Sequence, residues 1–504
     1  MRRALVGTGL VWSVLLLGCD DDNGRPNIPA NPDDLIAPPE WRSHHGVLDV
    51  SLTAGPAEIT VAGVTFTSNV YEGTYVPPVL RVARGDRVHL DLINQIDVGL
   101  GIDQPQPTNL HYHGMAISPL PPADYIYLSV LPEAVDRMDP STVHSSPQDT
   151  HPGHFEYDWT VPLDHPMGEH WYHPHAHGLT EPQNLGGMSG MLIVEGALAT
   201  QYPELTTLRE RVLYLKDIDL PGAADGAPKT KTINGQREPT IRLRPGEWQV
   251  WSVGNIGADA FFDLAVDGSD LWVLSLDGNL LTAPEPRPSV YLVPSSRTQI
   301  VVGGLAAGRY DLVSREVETG PQGDPNPQVK LATLVVEGEP VSGDAVAARL
   351  RQPAANPAAI TPSAASVRAL PITRQRRIVF SETADGDTFF IDGREFDPHR
   401  IDTSVQLGDV EEWTIVNVSG ELHTFHIHQL DFLVTSFRAE QYDTTGLRDV
   451  IDVPFQRDGV PGEVTMIIPF TNPLIVGKFP YHCHIMEHED NGMMANIEVR
   501  PAPP

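Results

Sequence analysis

Cysteine is almost absent from this sequence: Cys19 and Cys483 are the only two in 504 residues. At most one disulfide is possible, and none if Cys19 is modified, in which case a chain of this size must be held by packing or by bound metal. Positive charge is also scarce. Lys plus Arg number 34 against 66 Asp plus Glu, a formal net charge of -32. Such a surface repels nucleic acid and anionic lipid, so neither is an expected partner, and it favours neutral or cationic ligands. Solubility alone would explain the charge equally well. Long apolar runs are missing after the first 19 residues, so no later segment is expected to cross a bilayer as a helix. Methionine is sparse: the ten residues do not cluster beyond Met493-Met494 and Met188/Met191. Helical periodicity sustained over three turns is rare.

What is present begins with a leader. Arg2 and Arg3 precede an apolar run, residues 5–17, that is too short for a mature membrane span. Leu16-Leu17-Gly18-Cys19 resembles a bacterial lipoprotein processing site. That resemblance implies removal of residues 1–18 and a lipid on Cys19, placing the chain in the periplasm or cell envelope on a membrane anchor. A plain secretory signal is the alternative. The polar stretch up to residue 40 reads as a flexible tether. With Cys19 lipidated, Cys483 is a lone thiol in an oxidising compartment, which points to a functional use.

The remainder repeats itself. Pro78 to Asp86 followed by Asn94, Pro239 to Glu247 followed by Asn255, and Val405 to Asp409 followed by Asn417 share one pattern. In each, Gly is followed by an acid and, nine residues after the Gly, by Asn. Between them lie apolar residues two apart: Val88, Leu90 and Leu92; Trp248 and Val250; Trp413 and Ile415. Period-two runs broken by Gly, Pro, Asn and Asp are half-buried strands. Three tandem Greek-key β-sandwich domains follow, an all-β architecture. The expected boundaries are 41–196, 197–344 and 372–504, with an Ala/Pro/Ser-rich linker at 345–371. A long excursion from Pro119 to Pro152 reads as a surface loop.

Four His-x-His pairs stand out: His111/His113, His173/His175, His426/His428 and His482/His484. On a strand, residues two apart share a face, so each pair can present two imidazoles to one place. A single such pair is commonly a surface or core feature. Two in the first module and two in the third call for a shared cause. The second module has none, since Gly257 to Phe261 occupies the corresponding place, and a spacer role is expected for it. Cys483, between His482 and His484, must point to the opposite side from them. Two His, one Cys and a weak axial Met make a blue-copper electron-transfer site. Zinc, the competing metal, uses a few residues in closed tetrahedral ligation and would not account for eight more histidines.

Asn109 to Gly114, His170 to His175, His423 to His428 and His482 to Met493 together resemble the copper signatures of the three-domain multicopper oxidases, nearest to the bacterial laccase-like and cuprous-oxidase branch. The resemblance spans roughly residues 41–504. It implies cupredoxin-like domains, four copper ions and the reduction of dioxygen to water with electrons taken singly from a small-molecule or metal-ion reductant. It implies His423, Cys483, His488 and Met493 at a type 1 copper, and His111 and His426 at a type 2 copper. It also implies His113, His173, His175, His428, His482 and His484 at a type 3 pair. Met494 competes with Met493, but the strand period turns it the other way. Glu489 matches a position at which the family orients imidazoles and supplies protons. Asp124 is a second such acid, although the sequence around it departs from the family pattern.

Ten histidines remain outside this set. Most are expected to be structural or exposed. His177 extends the second signature and is a candidate to support the ligands. His144, His151 and His154, with Asp136, Asp139 and Asp149, form a possible accessory patch on the long loop, for which solvated side chains are the simpler explanation. Phenols and aromatic amines are the expected reductants. Cu(I) is the alternative, disfavoured by the absence of a methionine-rich insertion. Copper storage and a structural role in the cell envelope are the non-enzymatic alternatives. A monomer is expected.

Overall fold

In the computed structural model, which describes residues 31–96, 106–133, 149–224, 226–360, 362–438, 440–441 and 446–502, the repeated Gly-acid-Asn pattern has a physical explanation. Gly85, Gly246 and Gly408 each take a positive φ, at 87, 79 and 103°, which a glycine adopts without strain. The acid that follows folds back to accept a backbone N–H three residues earlier: Asp86 from Ala83 at 2.8 Å, Glu247 from Arg244 at 2.9 Å and Asp409 from Gln406 at 2.9 Å. The chain is thereby launched into a strand, Arg87–Asn94, Trp248–Asn255 or Val410–Asn417. The closing Asn ties the strand end to neighbouring segments. Asn94 donates to Val130 O at 2.7 Å, Asn255 to Ala260 O at 2.8 Å and Asn417 to Glu421 O at 2.6 Å.

Each launched strand lies parallel to an earlier one and antiparallel to a later one. Arg87–Asn94 lies between Val47–Val61 and His154–Thr160, Trp248–Asn255 between Arg209–Ile218 and Arg297–Gly303, and Val410–Asn417 between Arg374–Glu382 and Gly462–Pro469. A second sheet covers each of these. In the first unit it contains His111–His113 and Glu169–His173; in the third, His423–Ile427 and Gly477–Cys483. The result is three tandem cupredoxin-like sandwiches, the fold class expected. The cores lie between the sheets. Trp251 and Trp413 are fully buried in the second and third, and Tyr71, Tyr112, Tyr157 and Tyr172 fill the first.

The tether expected up to residue 40 is corrected from residue 31 onward. Leu35 is buried in the second core, its N–H donates to Thr240 O at 3.0 Å, and Asp34 pairs with Arg242 at 2.9 Å. Apolar burial and an ion pair dock this segment, and Glu40–Arg42 continues as a strand beside Val79–Val82. The Ala/Pro/Ser-rich linker is likewise packed. Leu350 and Ala354 bury against the second sandwich, and Ala364 and Val367 bury with Val410 and Leu433 of the third. The leader, Cys19, His144, Asp136 and Asp139 lie outside the described residues. Among the described residues no helix is long and apolar enough to cross a membrane.

Candidate metal centres

Two strand pairs present the histidines. His111–His113 runs antiparallel to Glu169–His173, with His111 opposite His173. His423–Ile427 runs antiparallel to Gly477–Cys483, with His426 opposite His482 and Phe425 opposite Cys483. Cross-strand partners share a face and sequence neighbours do not. His426 and His482 therefore leave the sheet on one side, and Cys483 on the other.

Cys483 enters the third core with Phe425, Phe389 and Met493. Its Sγ lies 3.5 Å from His488 Nδ1 and 3.8 Å from His423 Nδ1, and these two nitrogens are 3.0 Å apart. The outward nitrogens are engaged elsewhere, His423 Nε2 with Ser419 Oγ at 2.8 Å and His488 Nε2 with Glu421 at 3.3 Å. The Thr424 N–H donates to Sγ at 3.3 Å, and Phe389 stacks on His488 at 4.0 Å between centroids. Met493 is fully buried here, and its carbonyl accepts the Cys483 N–H at 3.0 Å. Met494 pairs with His482 across the sheet and turns away, as the strand period requires.

On the other side, rings from the first and third sandwiches interleave. His111 stacks on His428 at 3.8 Å and His113 on His426 at 3.9 Å. His113 Nδ1 faces His484 Nε2 at 3.2 Å, and His482 Nε2 faces His428 Nε2 at 3.2 Å and His175 Nε2 at 3.4 Å. The Nε2 atoms of His111, His173 and His426 have no hydrogen-bond partner. Their Nδ1 atoms are held from behind: His111 by Asp124 at 2.9 Å, His173 by Pro174 O at 2.8 Å and His426 by Asp449 O at 2.7 Å. Burial first, and then neighbouring imidazoles, hold His113, His428 and His484 well below the ordinary imidazole value. Neutral rings thus aim lone pairs at one another in a buried space, which is unfavourable without a cation between them. Buried imidazole donors, with a set of two histidines, one cysteine and one methionine beside them, fit copper.

Both expected acids lie at this cluster. Glu489 is fully buried, with oxygens 3.3 Å from His175 Nδ1 and 3.1 Å from His482 Nδ1, and it accepts from Thr180 Oγ at 3.1 Å. Burial alone would raise its carboxyl, but His175 and His482 hold it well below the ordinary value. Asp124 faces His111 and accepts from the Tyr112 N–H at 2.9 Å and from Gln429. Burial pushes its carboxyl up to about 7, against the Tyr112 N–H, His175 and Gln429.

The second sandwich is more than the expected spacer. Its Arg297 grips Asp449 through two bonds of 2.7 and 2.6 Å, and Asp449 in turn lies 3.4 Å from His113 Nε2. Its Asp259 accepts the N–H groups of Met486 and Glu487 at 3.0 and 3.4 Å, at the start of the short helix Met486–Asp490 that carries His488 and Glu489. From the same helix, Asp490 accepts the N–H groups of Gly178 and Glu181 of the first sandwich at 2.7 and 2.9 Å. Sequence reasoning missed Arg297, Asp449 and Asp259. For Arg297 and Asp449 the available signal was a charge at the edge of an apolar strand, which ordinarily reads as surface.

Other described histidines have partners of their own. His177 packs edge-on against Phe396 at 4.8 Å. His165 accepts the Ala116 N–H at 2.9 Å. His151 lies 3.3 Å from Asp149, while His154 pairs with Asp91 at 2.7 Å.

A family model described as multicopper oxidase matches residues 370–503. The chain is 25% identical over 506 residues to the multicopper oxidase mco of Staphylococcus haemolyticus, covering 95% of each chain. It is 24% identical to a laccase of Bacillus stratosphericus, covering 65% of this chain and 71% of that one. Among solved structures, McoA multicopper oxidase of Aquifex aeolicus aligns with a TM-score of 0.72 at 20% identity, over 93% of this chain and 99% of that one. The multicopper oxidase of Campylobacter jejuni aligns at 0.71 with 22% identity, over 92% and 93%. A Cys483 site joined by one strand to a histidine cluster, within three sandwiches of this order, agrees with these matches: the family model, the relatives and the structural neighbours together support a bacterial multicopper oxidase, a copper-dependent oxidoreductase.

Proposed function

We propose that the protein is a laccase-like oxidase holding four copper ions. His423, Cys483, His488 and Met493 would hold the type 1 copper, His111 and His426 the type 2 copper, and His113, His173, His175, His428, His482 and His484 the type 3 pair. Bound copper supplies one-electron acceptance at the first site and four-electron reduction of dioxygen to water at the second. The observation that carries this reading is the position of Cys483: its Sγ meets His423 and His488, while the adjoining His482 and His484 meet the cluster. Electrons would pass between the sites over a few covalent bonds. Reduction of dioxygen to water also consumes protons, and the buried Glu489 and Asp124 beside His482 and His111 are suited to deliver them and to fix those rings. Every ligand comes from one chain, which fits a monomer.

The reductant would dock in a cleft of about 280 Å³ between the second and third sandwiches, lined by Phe261, Phe389, Ile485, Glu421, Glu487 and the His488 edge. Its aromatic walls suit a small phenol or aromatic amine. A metal-ion reductant is a second reading, favoured by Glu421 at 3.3 Å from His488 Nε2 and by the neighbouring Glu487. Carboxylates are hard ligands, and none of the lining residues is Met or Cys, so a hard cation fits better than Cu(I). Oxygen uptake with a phenol, Fe(II) and Cu(I) side by side ranks these readings, with Cys483→Ser as control. Absence of uptake from metallated protein would leave copper storage or a structural role. We also infer export with a lipid on Cys19, from the leader alone. Incorporation of labelled fatty acid, lost in Cys19→Ser, is the expected result.

A further inference from the structure

Among the eight clustered imidazoles, seven turn Nε2 inward and His113 turns Nδ1. His113 Nδ1 faces His484 Nε2 at 3.2 Å, while its Nε2 lies 3.4 Å from Asp449 Oδ1. Both Asp449 oxygens accept from Arg297, so Asp449 is an acceptor toward His113 as well; it selects the His113 tautomer with the proton on Nε2 and leaves the Nδ1 lone pair free. Asp449 cannot turn away. The Arg297 guanidinium bonds both of its oxygens and is itself fixed by Glu169 O at 3.1 Å and Ser295 O at 2.9 Å. Arg297 and Asp449 are both buried, at 0 and 1% side-chain exposure. The Asp449 carbonyl also accepts from His426 Nδ1 at 2.7 Å, so one residue orients two rings in opposite senses. Next to His113, any side chain at Gly114 would collide with the Arg297 guanidinium and the Asp449 carboxylate. The backbone there is bare where the ion pair needs room.

We propose that Arg297 and Asp449 are a positioning pair through which the second sandwich, which carries no copper ligand, sets the coordinating nitrogen of His113. The inference rests on the reading that the eight imidazoles hold copper. Its test is the double variant Arg297→Met/Asp449→Leu. A single substitution would strand a buried charge, whereas replacing both partners by apolar residues of similar size commonly preserves the fold. The Asp449 carbonyl that holds His426 is retained, and the acceptor for His113 Nε2 is lost.

Wild type and variant would be loaded with copper and titrated with chelator. Bound copper per chain, the Cu(II) electron paramagnetic resonance spectrum and the blue absorbance of the Cys483 site would be followed together. The expected result is unchanged blue absorbance, release of cluster copper at roughly 10- to 100-fold lower chelator concentration, and a larger resonance-visible fraction of the bound copper. A variant that holds cluster copper as tightly as wild type, with the same spectrum, would overturn the pair's role. Equal weakening of the blue absorbance would overturn it too, because the effect would then be general loosening. Wild-type protein that binds no copper beyond the Cys483 site would overturn the four-copper reading itself.

Discussion

The Cys483 site and the histidine cluster sit back to back on one strand, yet they are built differently. His423, Cys483, His488 and Met493 all arise within one sandwich and converge inside its core. The cluster exists only where two sandwiches meet, with contacts such as His484 to His113 joining residues 371 positions apart. Its supports come from all three sandwiches: Glu489 and Asp490 from the third, Asp124 and Thr180 from the first, and Arg297 and Asp259 from the second. A core site is as stable as its core. An interfacial site is as stable as the docking, which is ordinarily weaker than a domain interior.

The strongest break in this comparison is Cys483→Ser. Serine keeps the size but removes the soft thiolate donor. Oxygen uptake should fall to background and the blue absorbance should vanish, while the cluster keeps its copper and copper per chain drops by one. Loss of all copper would mean that the two sites are not separately built. Next in size is Glu489→Gln. The amide keeps the shape near His175 and His482 but not the charge or the proton-transfer capacity. Oxygen reduction should slow by roughly 100-fold, read by steady-state uptake, while anaerobic reduction of the Cys483 site by donor, read by bleaching, stays at the wild-type rate. Equal slowing of both would place Glu489 on the donor side.

A third test sharpens the interfacial side. Asp259→Ala removes the acceptor for two N–H groups at the head of Met486–Asp490 and takes from Lys229 its nearest carboxylate, leaving Glu181 at 3.5 Å. The expected cost is about 1–3 kcal/mol, measured by urea unfolding. In the same titration, cluster copper should become accessible to chelator at lower urea than that at which the blue colour fades, and the variant should widen that gap. Coincident transitions would make the three sandwiches one cooperative unit.

Much of the site was legible because strands have a period of two. The His-x-His spacing, the reversal of Cys483 and the choice of Met493 over Met494 all follow from alternation, and the bonding patterns agree with them. The repeat was legible because Gly, acid and Asn each perform one local task at a strand end. What could not be read is what bridges sandwiches. Arg297 and Asp449 are 152 residues apart with no shared local pattern. Asp259 sits in the segment whose lack of histidine marked the second module as a spacer. Residues 31–39 read as a tether by composition, but one buried Leu35 and the Asp34–Arg242 pair suffice to dock them. The sequence around Asp124 departs from the family pattern, yet its carboxylate lies 2.9 Å from His111 Nδ1.

The smallest expected effect concerns the cleft proposed to take the reductant beside the Cys483 site. Lys231 lines it and donates to Phe261 O at 2.6 Å and Ser314 Oγ at 3.2 Å. Burial lowers its ammonium to about 8, against the pull of Asp217. The folded value thus lies below the unfolded one, near 10.4 for lysine. Between about 8 and that value the unfolded chain holds a proton that the folded chain has released, so this group's contribution to stability rises with pH across the window. Below about 8 the cleft carries one more positive charge. A cationic reductant should therefore bind better as pH rises through about 8, a neutral phenol should be indifferent, and Lys231→Met should flatten the cationic profile. The matched readout is KM against pH for Fe(II) and for a phenol on the same preparations. If both donors shift together, the change lies in the common oxygen-reducing half of the molecule and not in the cleft. If only the cation shifts, and only with Lys231 present, the two centres respond to pH independently, as their separate construction requires.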